Sequence, residues 1–200
     1  MTAEGATTLR PVLEPDARGR PTAPDGRMGD LLKHAAEANP ELDVRVLIWR
    51  MDLPIALSQG GYPLRAAPFF KRSRVKFRLD RTVPLGACHH QKIVVVDDQL
   101  AFCGGGDIAV DRWDSPEHPD HDGRRTMPNG REHPARHDVF VMLTGPAARV
   151  LSRHVRRRWA VATGEALETP EAGVAGHDPW PPEVAPEFEN VRVGAARTAP

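Results

Sequence analysis

Apolar positions along this chain recur in two rhythms. In some stretches they return every third or fourth residue, which predicts helix; in others every second residue or without a break, which predicts strand. Residues 28–38 (MGDLLKHAAEA) show the first rhythm, with Leu31, Leu32, Ala35 and Ala36 on one face and Asp30 placed as a cap. Asn39 and Pro40 end that helix, because the residue before a proline is pushed out of helical geometry. Residues 43–50 (DVRVLIWR) alternate and then run apolar through Leu47, Ile48 and Trp49, predicting a buried strand. A short helix around residues 53–57 fits next, before Gly60, Gly61 and Pro63 break the pattern. In residues 71–81 (KRSRVKFRLDR), Arg74, Lys76 and Arg78 alternate with Val75, Phe77 and Leu79, so a strand with one wet, basic face is expected.

Residues 93–96 (IVVV) lack any polar alternation and predict a strand buried on both faces. The short run 100–103 (LAFC) follows at hairpin distance, with the tight turn at Asp98 and Gln99. It stops on Gly104, Gly105 and Gly106. Four prolines between 116 and 134 exclude a regular element from residues 115–136. A further strand is expected over 137–143 (HDVFVML). Gly145 and Pro146 then open a helix whose apolar and inward positions are Val150, Leu151, His154, Val155, Arg158 and Trp159. Residues 189–193 fit one last short strand. Helix and strand alternating in this way predict an α/β layer arrangement.

Composition changes the picture at the two ends. Residues 1–27 carry Pro11, Pro15, Pro21 and Pro24 among polar residues and read as unstructured; residues 164–200 return to the same proline-rich character. The expected division is therefore a disordered segment 1–27, one lobe over 28–163 and a tail over 164–200. The overall charge is zero but uneven: 21 Lys/Arg stand against 15 Asp/Glu in residues 31–160, a net of +6, and two Arg against seven acids in 161–200, a net of −5. The basic strand therefore reads as a solvated edge that resists aggregation, or as a field that guides a phosphate-bearing substrate. Dedicated nucleic-acid binding is disfavoured, since only Phe77 offers an interleaved aromatic. Two cysteines, Cys88 and Cys103, make no disulfide framework and fit a reducing compartment. Neither an eighteen-residue apolar run nor a secretory leader is readable, so the expected place is cytoplasmic, with peripheral membrane contact at most.

The candidate chemistry lies in residues 87–114 (ACHHQKIVVVDDQLAFCGGGDIAVDRWD). His90 and Lys92 are two apart, so on extended backbone they share a side. An ammonium beside an imidazole suits an anionic substrate, the lysine holding charge while the histidine attacks or moves a proton. Asp97, five residues beyond Lys92, falls on the opposite strand face and is read as a brace of the hairpin. His118 and His121 in the long loop make a weak zinc pair, because a catalytic zinc needs three placed ligands and an open position.

The order His90-x-Lys92-x4-Asp97, then Gly104-Gly105-x-Asp107, resembles the signature of the phospholipase D superfamily. The longer series His89, His90, Gln91, Lys92, Asp107, Ile108, Arg112, Trp113 and Asp114 is similar to the first such motif of the large two-signature enzymes. The resemblance implies a phospholipase D-like single lobe, a mixed β-sheet flanked by helices, and here an N-terminal-lobe fragment without the family's first strand and helix. It implies cleavage of a phosphodiester, a phospholipid being the type case, through a covalent phosphohistidine and without a metal or cofactor. His90 is then the nucleophile or its acid partner, Lys92 the phosphate clamp and Asp97 the support of the motif. His89, Gln91, Gly104, Gly105, Asp107, Arg112, Trp113 and Asp114 would form or support the phosphate pocket, with the glycines allowing close backbone approach. Asp107 stands where many relatives carry a neutral amide.

The family mechanism uses two histidines, and no other histidine here has a lysine two residues on. Three readings follow. Two copies build a composite site; a second phospholipase D-like lobe on a partner completes it; or the chain is a truncated, inactive lobe with a structural or interaction role. A phosphodiester nuclease is the alternative enzyme.

Overall fold

The computed structural model describes residues 28–51, 66–84, 86–127, 130–169 and 180–198. The expected helix around 53–57 and the segment 1–27 lie outside them. Helix α1 is Met28–Ala38, strand β1 Arg45–Trp49, helix α2 Ala66–Phe70 and strand β2 Lys76–Asp80. Strands β3 (Lys92–Val96), β4 (Leu100–Gly104) and β5 (Phe140–Thr144) follow, and helix α3 (Gly145–Thr163) ends the series. A 3-10 turn, Val110–Arg112, sits between β4 and β5. β1 and β2 pair in parallel, while β3, β4 and β5 form an antiparallel sheet in that order. The chain is thus a single α/β lobe with both kinds of strand pairing, flanked by helices.

A small aromatic core closes the first half. Ala36 of α1, Phe70 of α2 and Val75 are buried together, with Leu32, Val44, Val46, Phe69 and Phe77 packed against them. Phe70 stacks on Phe77 with ring centroids 5.4 Å apart and meets the edge of Phe69 at 4.9 Å. The alternation read in 71–81 is present: Lys76 and Arg78 face solvent while Val75 is buried.

Helix α3 joins the halves, since it packs on strands of both sheets. Ala148, Ser152 and Trp159 are its buried positions. Pro146 lies in its first turn, where a missing N–H costs nothing. Gly164 closes it in the left-handed conformation, φ 76°, which glycine adopts without strain. Past that end, Glu165 accepts from the Trp159 indole at 2.9 Å and from Arg45 of β1 at 2.8 Å, and the Arg45 guanidinium lies 5.0 Å from the Trp159 ring. The helix is therefore latched to β1 as well as packed on the sheets.

Several elements differ from the expectation. The hairpin turn centres on Asp97 and Asp98, one place earlier, with φ of 51° and 60° and the Gln99 N–H donating to the Val96 carbonyl at 3.0 Å. Two positive φ values are the pattern of a type I′ turn, which matches strand twist and tolerates aspartate. β3 is not buried on both faces: Val94 is 44% exposed. It shares a face with Phe140, 49% exposed, while Leu100 on that face is buried, so the face is covered at one end only. β1 is half-buried along its length rather than fully buried. β5 starts at Phe140, not His137, because its partner β4 ends at Gly104; one bond from the Gly105 N–H to the Val139 carbonyl is all that continues the ladder. Residues 189–193 form no strand: no described segment pairs with them, and Val191 and Val193 face solvent.

The loop 115–136 is irregular, as its prolines require, yet it is built around one side chain. Arg125 has no exposed surface. It donates to Asp114 at 2.9 Å and to the carbonyls of Pro119 and Asp120 at 2.6 and 2.9 Å. Thr126 and Glu132 close the loop with an isolated antiparallel bridge.

Two outcomes follow. A Cβ at position 104 would lie 2.4 Å from a Phe140 ring carbon and 2.6 Å from the Val139 carbonyl oxygen, and the backbone atom has nowhere to go. Gly104→Ala is therefore expected to lower stability by about 2 kcal/mol, read as a lower urea midpoint at unchanged m-value. Arg125→Lys puts one point charge where a planar fork spans three acceptors. Hydrogen bonds to a charged group are worth ~1.5–3 kcal/mol, so amide exchange in residues 115–133 should quicken by roughly tenfold or more while β3 and β4 keep their protection.

Candidate functional site

The segment 87–91 leads into β3 without regular secondary structure, and its side chains part to two sides. His89 and Gln91 turn inward. His89 Nε2 lies 3.1 Å from Asp80 Oδ2, at the end of β2. Gln91 Oε1 lies 2.7 Å from His154 Nε2 and accepts from Arg158 at 3.4 Å, both on α3. His90, between them, is exposed. Lys92, two residues beyond His90, opens β3, and its Nζ lies 3.2 Å from Asp107 Oδ1.

Asp80 is the hub of the inner side, with 1% of its surface exposed. Its Oδ1 accepts from the Thr82 hydroxyl at 2.6 Å and amide at 3.0 Å, and its Oδ2 from Arg158 at 2.9 Å. Burial alone would raise this carboxyl. The Thr82 bonds, the Arg158 guanidinium and the neighbouring His89 outweigh it and hold the group below the ordinary aspartate value. His89 is shifted down, first by burial and then by Arg158; the pull of Asp80 in the other direction is weaker because Arg158 already neutralises that carboxylate. His89 Nε2 is the ring nitrogen that faces the Asp80 carboxylate and so the one placed to donate to it. His154 is also lowered, by burial and then by Arg158.

The outer side is a chain of alternating charges. Asp107 meets Lys92 through one oxygen and Arg112 through the other, at 3.6 Å. Arg112 also holds Asp111 at 2.5 Å, and Asp111 lies 3.9 Å from Arg136. Gly104 leaves room for the Phe140 ring and Gly105 for the Asp138 carboxylate, so both glycines lie against the strand leading into β5. Asp97 stands in the turn at the far end of β3, roughly 16 Å from Lys92 at the usual strand rise. Its neighbour Asp98 fastens that turn to α3, through Ser152 and through Arg156 at 2.7 Å.

Trp113 and Asp114 belong to the loop assembly. The Arg124 guanidinium lies 5.2 Å from the Trp113 ring. Asp114 pairs with Arg125 and accepts from the Ser115 and Arg136 amides, with His118 Nδ1 at 3.0 Å; these contacts, His118 foremost, hold its carboxyl far below the ordinary range. His121 is almost fully exposed, and no cluster of three or more potential metal ligands is present among the described residues. Both cysteines are free thiols. No helix among the described residues is long and apolar enough to cross a membrane. A separate cavity of about 420 Å³ lies along β2, lined by Phe77, Arg78, Leu79, Arg81 and Thr82 with Ala67 and Ala162; no signature residue lines it.

Sequence reasoning missed Asp80 and Thr82. The signal was present: Asp80 is the one acid among six basic residues in 71–81, at the end of an alternating run. Periodicity puts His154 and Arg158 on one face of a helix but does not pair them with Gln91, 63 and 67 residues away along the chain.

The lowered imidazoles make stability depend on pH with a definite sign. Below the ordinary histidine value of 6.5 the unfolded chain takes up protons that folded His89 and His154 resist. Their contribution is complete above that pH and is lost on acidification; Asp80 adds a further loss below its ordinary 3.8. The urea midpoint is expected to fall as pH goes from 7 toward 5. In a His89→Gln/His154→Gln double variant the slope over that interval should flatten.

No family model matches the chain. Over 100 residues it is 33% identical to phospholipase D zeta 1 of Arabidopsis thaliana, a stretch that covers 37% of this chain and 9% of that relative. It is 44% identical over 55 residues to phospholipase D1 of Homo sapiens, covering 28% of this chain and 5% of the relative. A longer match, 28% over 179 residues, joins it to phospholipase D beta 2 of Arabidopsis thaliana and covers 68% of this chain and 19% of the relative. The chain thus spans under a fifth of the length of these curated relatives. Several such matches, on a single α/β lobe, relate this chain to the phospholipase D superfamily.

Proposed function

We propose that the chain provides one half of a phosphodiesterase site of phospholipase D type, with His90 and Lys92 as its working pair. One observation supports the reading: His89 and Gln91 are anchored inward by Asp80, His154 and Arg158, so His90 between them is left exposed, while Lys92 two beyond pairs with the half-exposed Asp107. A histidine that only packed would sit where His89 does.

In the reaction, a ring nitrogen of His90 attacks phosphorus. The new P–N bond forms as the bond from phosphorus to the leaving alkoxide breaks, and an acid group gives that alkoxide its proton. Water, losing a proton to the same group, then attacks phosphorus and releases the phosphate product with His90 restored. An alcohol in place of water gives transfer. Lys92 stabilises the charge on the non-bridging oxygens as it grows. The acid group is a second histidine, from a second copy of the chain or from a second phospholipase D-like lobe; a composite site between two copies has two-fold symmetry. Phospholipid is the favoured substrate, on the names of the relatives, with a nucleic-acid diester as the other enzyme reading.

The test is hydrolysis of bis(p-nitrophenyl) phosphate alongside light scattering, followed by phosphatidylcholine and single-stranded DNA. A dimer should turn over the ester, and His90→Ala should lose on the order of 10³-fold or more. Turnover undiminished by His90→Ala would refute the assignment. A monomer without turnover supports the inactive-lobe reading.

A further inference from the structure

Lys92 and Arg112 direct two cationic heads at one carboxylate. Lys92 Nζ lies 3.2 Å from Asp107 Oδ1, and the Arg112 guanidinium 3.6 Å from Asp107 Oδ2. The Lys92 side chain is only 10% exposed, whereas that of Asp107 is 49% exposed. Solvent therefore meets the ammonium largely past the carboxylate. A carboxylate and the non-bridging oxygens of a phosphodiester present the same pattern, two anionic oxygens on one centre.

We infer that Asp107 is a built-in occupant of the anion subsite formed by Lys92 and Arg112, and that a phosphate group binds there by displacing it. The inference rests on the phosphodiesterase reading only for the identity of the anion. Three features fit an exchange rather than a fixed salt bridge. The Asp107 backbone is tied down, its carbonyl accepting from the Ala109 N–H at 3.0 Å, so side-chain rotation alone vacates the subsite. Arg112 keeps Asp111 as a second partner at 2.5 Å and stays in place when Asp107 leaves. The exchange also conserves charge, one singly negative group replacing another between the same two cations.

The arrangement sets a preference. A diester carries one negative charge and replaces Asp107 evenly. A phosphate dianion adds a charge beside a carboxylate that remains close by, so diesters gain over monoesters and free phosphate. Arg112 becomes a direct ligand of the substrate phosphate, and Asp107 a specificity-determining residue.

Binding of dimethyl phosphate and of inorganic phosphate is measured by phosphorus NMR titration at low ionic strength, independently of turnover. Asp107→Asn removes the competing charge and is expected to tighten both by about fivefold, more for inorganic phosphate, as fits loss of a partly exposed ion pair. Lys92→Met and Arg112→Gln should each lose that binding. In the wild-type chain, saturating dimethyl phosphate should shift the Asp107 carboxyl carbon resonance, a readout that needs no variant to fold. Binding unchanged or weaker in a folded Asp107→Asn variant, an unmoved Asp107 resonance, or no phosphate binding by any form would each overturn the inference. Tighter binding in Asp107→Asn with no hydrolysis by any form would uphold the exchange and remove the enzyme.

Discussion

The carboxylate of Asp80 is the contact on which the arrangement of the site depends. It lies at the end of β2, buried, and holds three groups that would otherwise have no reason to meet: Thr82 on the following loop, Arg158 on α3 and His89 on the segment leading into β3. Two separate sheets and one long helix are brought to a point there. A buried charge with one partner missing is costly, so all three groups have to be in place together. That makes the position of residues 89–91 a consequence of how α3 docks, not of the hairpin alone.

Anchoring every second residue also keeps the exposed side chain between them, the proposed nucleophile, both still and accessible. An exposed histidine on a loop would ordinarily sample many positions. Here the flanking side chains are fixed to a buried ion pair on one side and to His154 on the other, and the backbone of His90 is held between them. Lys92 follows at the first residue of β3, where the ladder to Gly104 begins, and its ammonium meets Asp107. The glycine at 104 has a packing reason, since the Phe140 ring fills the space its side chain would need.

How far the sequence could be read follows from which forces were local. Periodicity announces a helix over 28–38, a strand within 71–81 and a helix from Gly145 through Trp159, the helices also by flanking Pro or Gly, and elements are present at 28–38, 76–80 and 145–163. The hairpin was legible to within one residue; the turn moved because aspartate at 97 accepts a positive φ. What was not legible is tertiary. Whether Val94 is covered depends on which elements reach its face, and the strand expected at 189–193 fails for want of a partner, although its own alternation is sound. In the site, the order of His90, Lys92, Asp107 and Arg112 was readable as a pattern. That Asp80 would serve as hub was not, because its partners on α3 are nearly eighty residues away. The prolines of 115–136 announce an irregular polar loop, yet a single buried arginine organises much of it, and composition does not report which of many arginines is inside.

Nearly every cation near the signature already has a carboxylate: Arg158 has Asp80, Arg125 has Asp114, Arg156 has Asp98, and Lys92 and Arg112 share Asp107. The phosphate binding proposed for this surface therefore rests on exchange of one anion for another, not on the pull of a bare positive field. Burial decides where exchange is feasible. The carboxylates of Asp80 and Asp114 are sealed and further held by backbone or hydroxyl donors, so they act as fixed struts. Asp98 is mostly enclosed beneath α3. Asp107 is the most exposed acid of the set and, among the described residues, pairs only with its two cations, so its bond to Lys92 is the one that solvent and salt weaken most. A ranking by exposure thus separates the ion pairs that build the lobe from the one at which an incoming anion can enter.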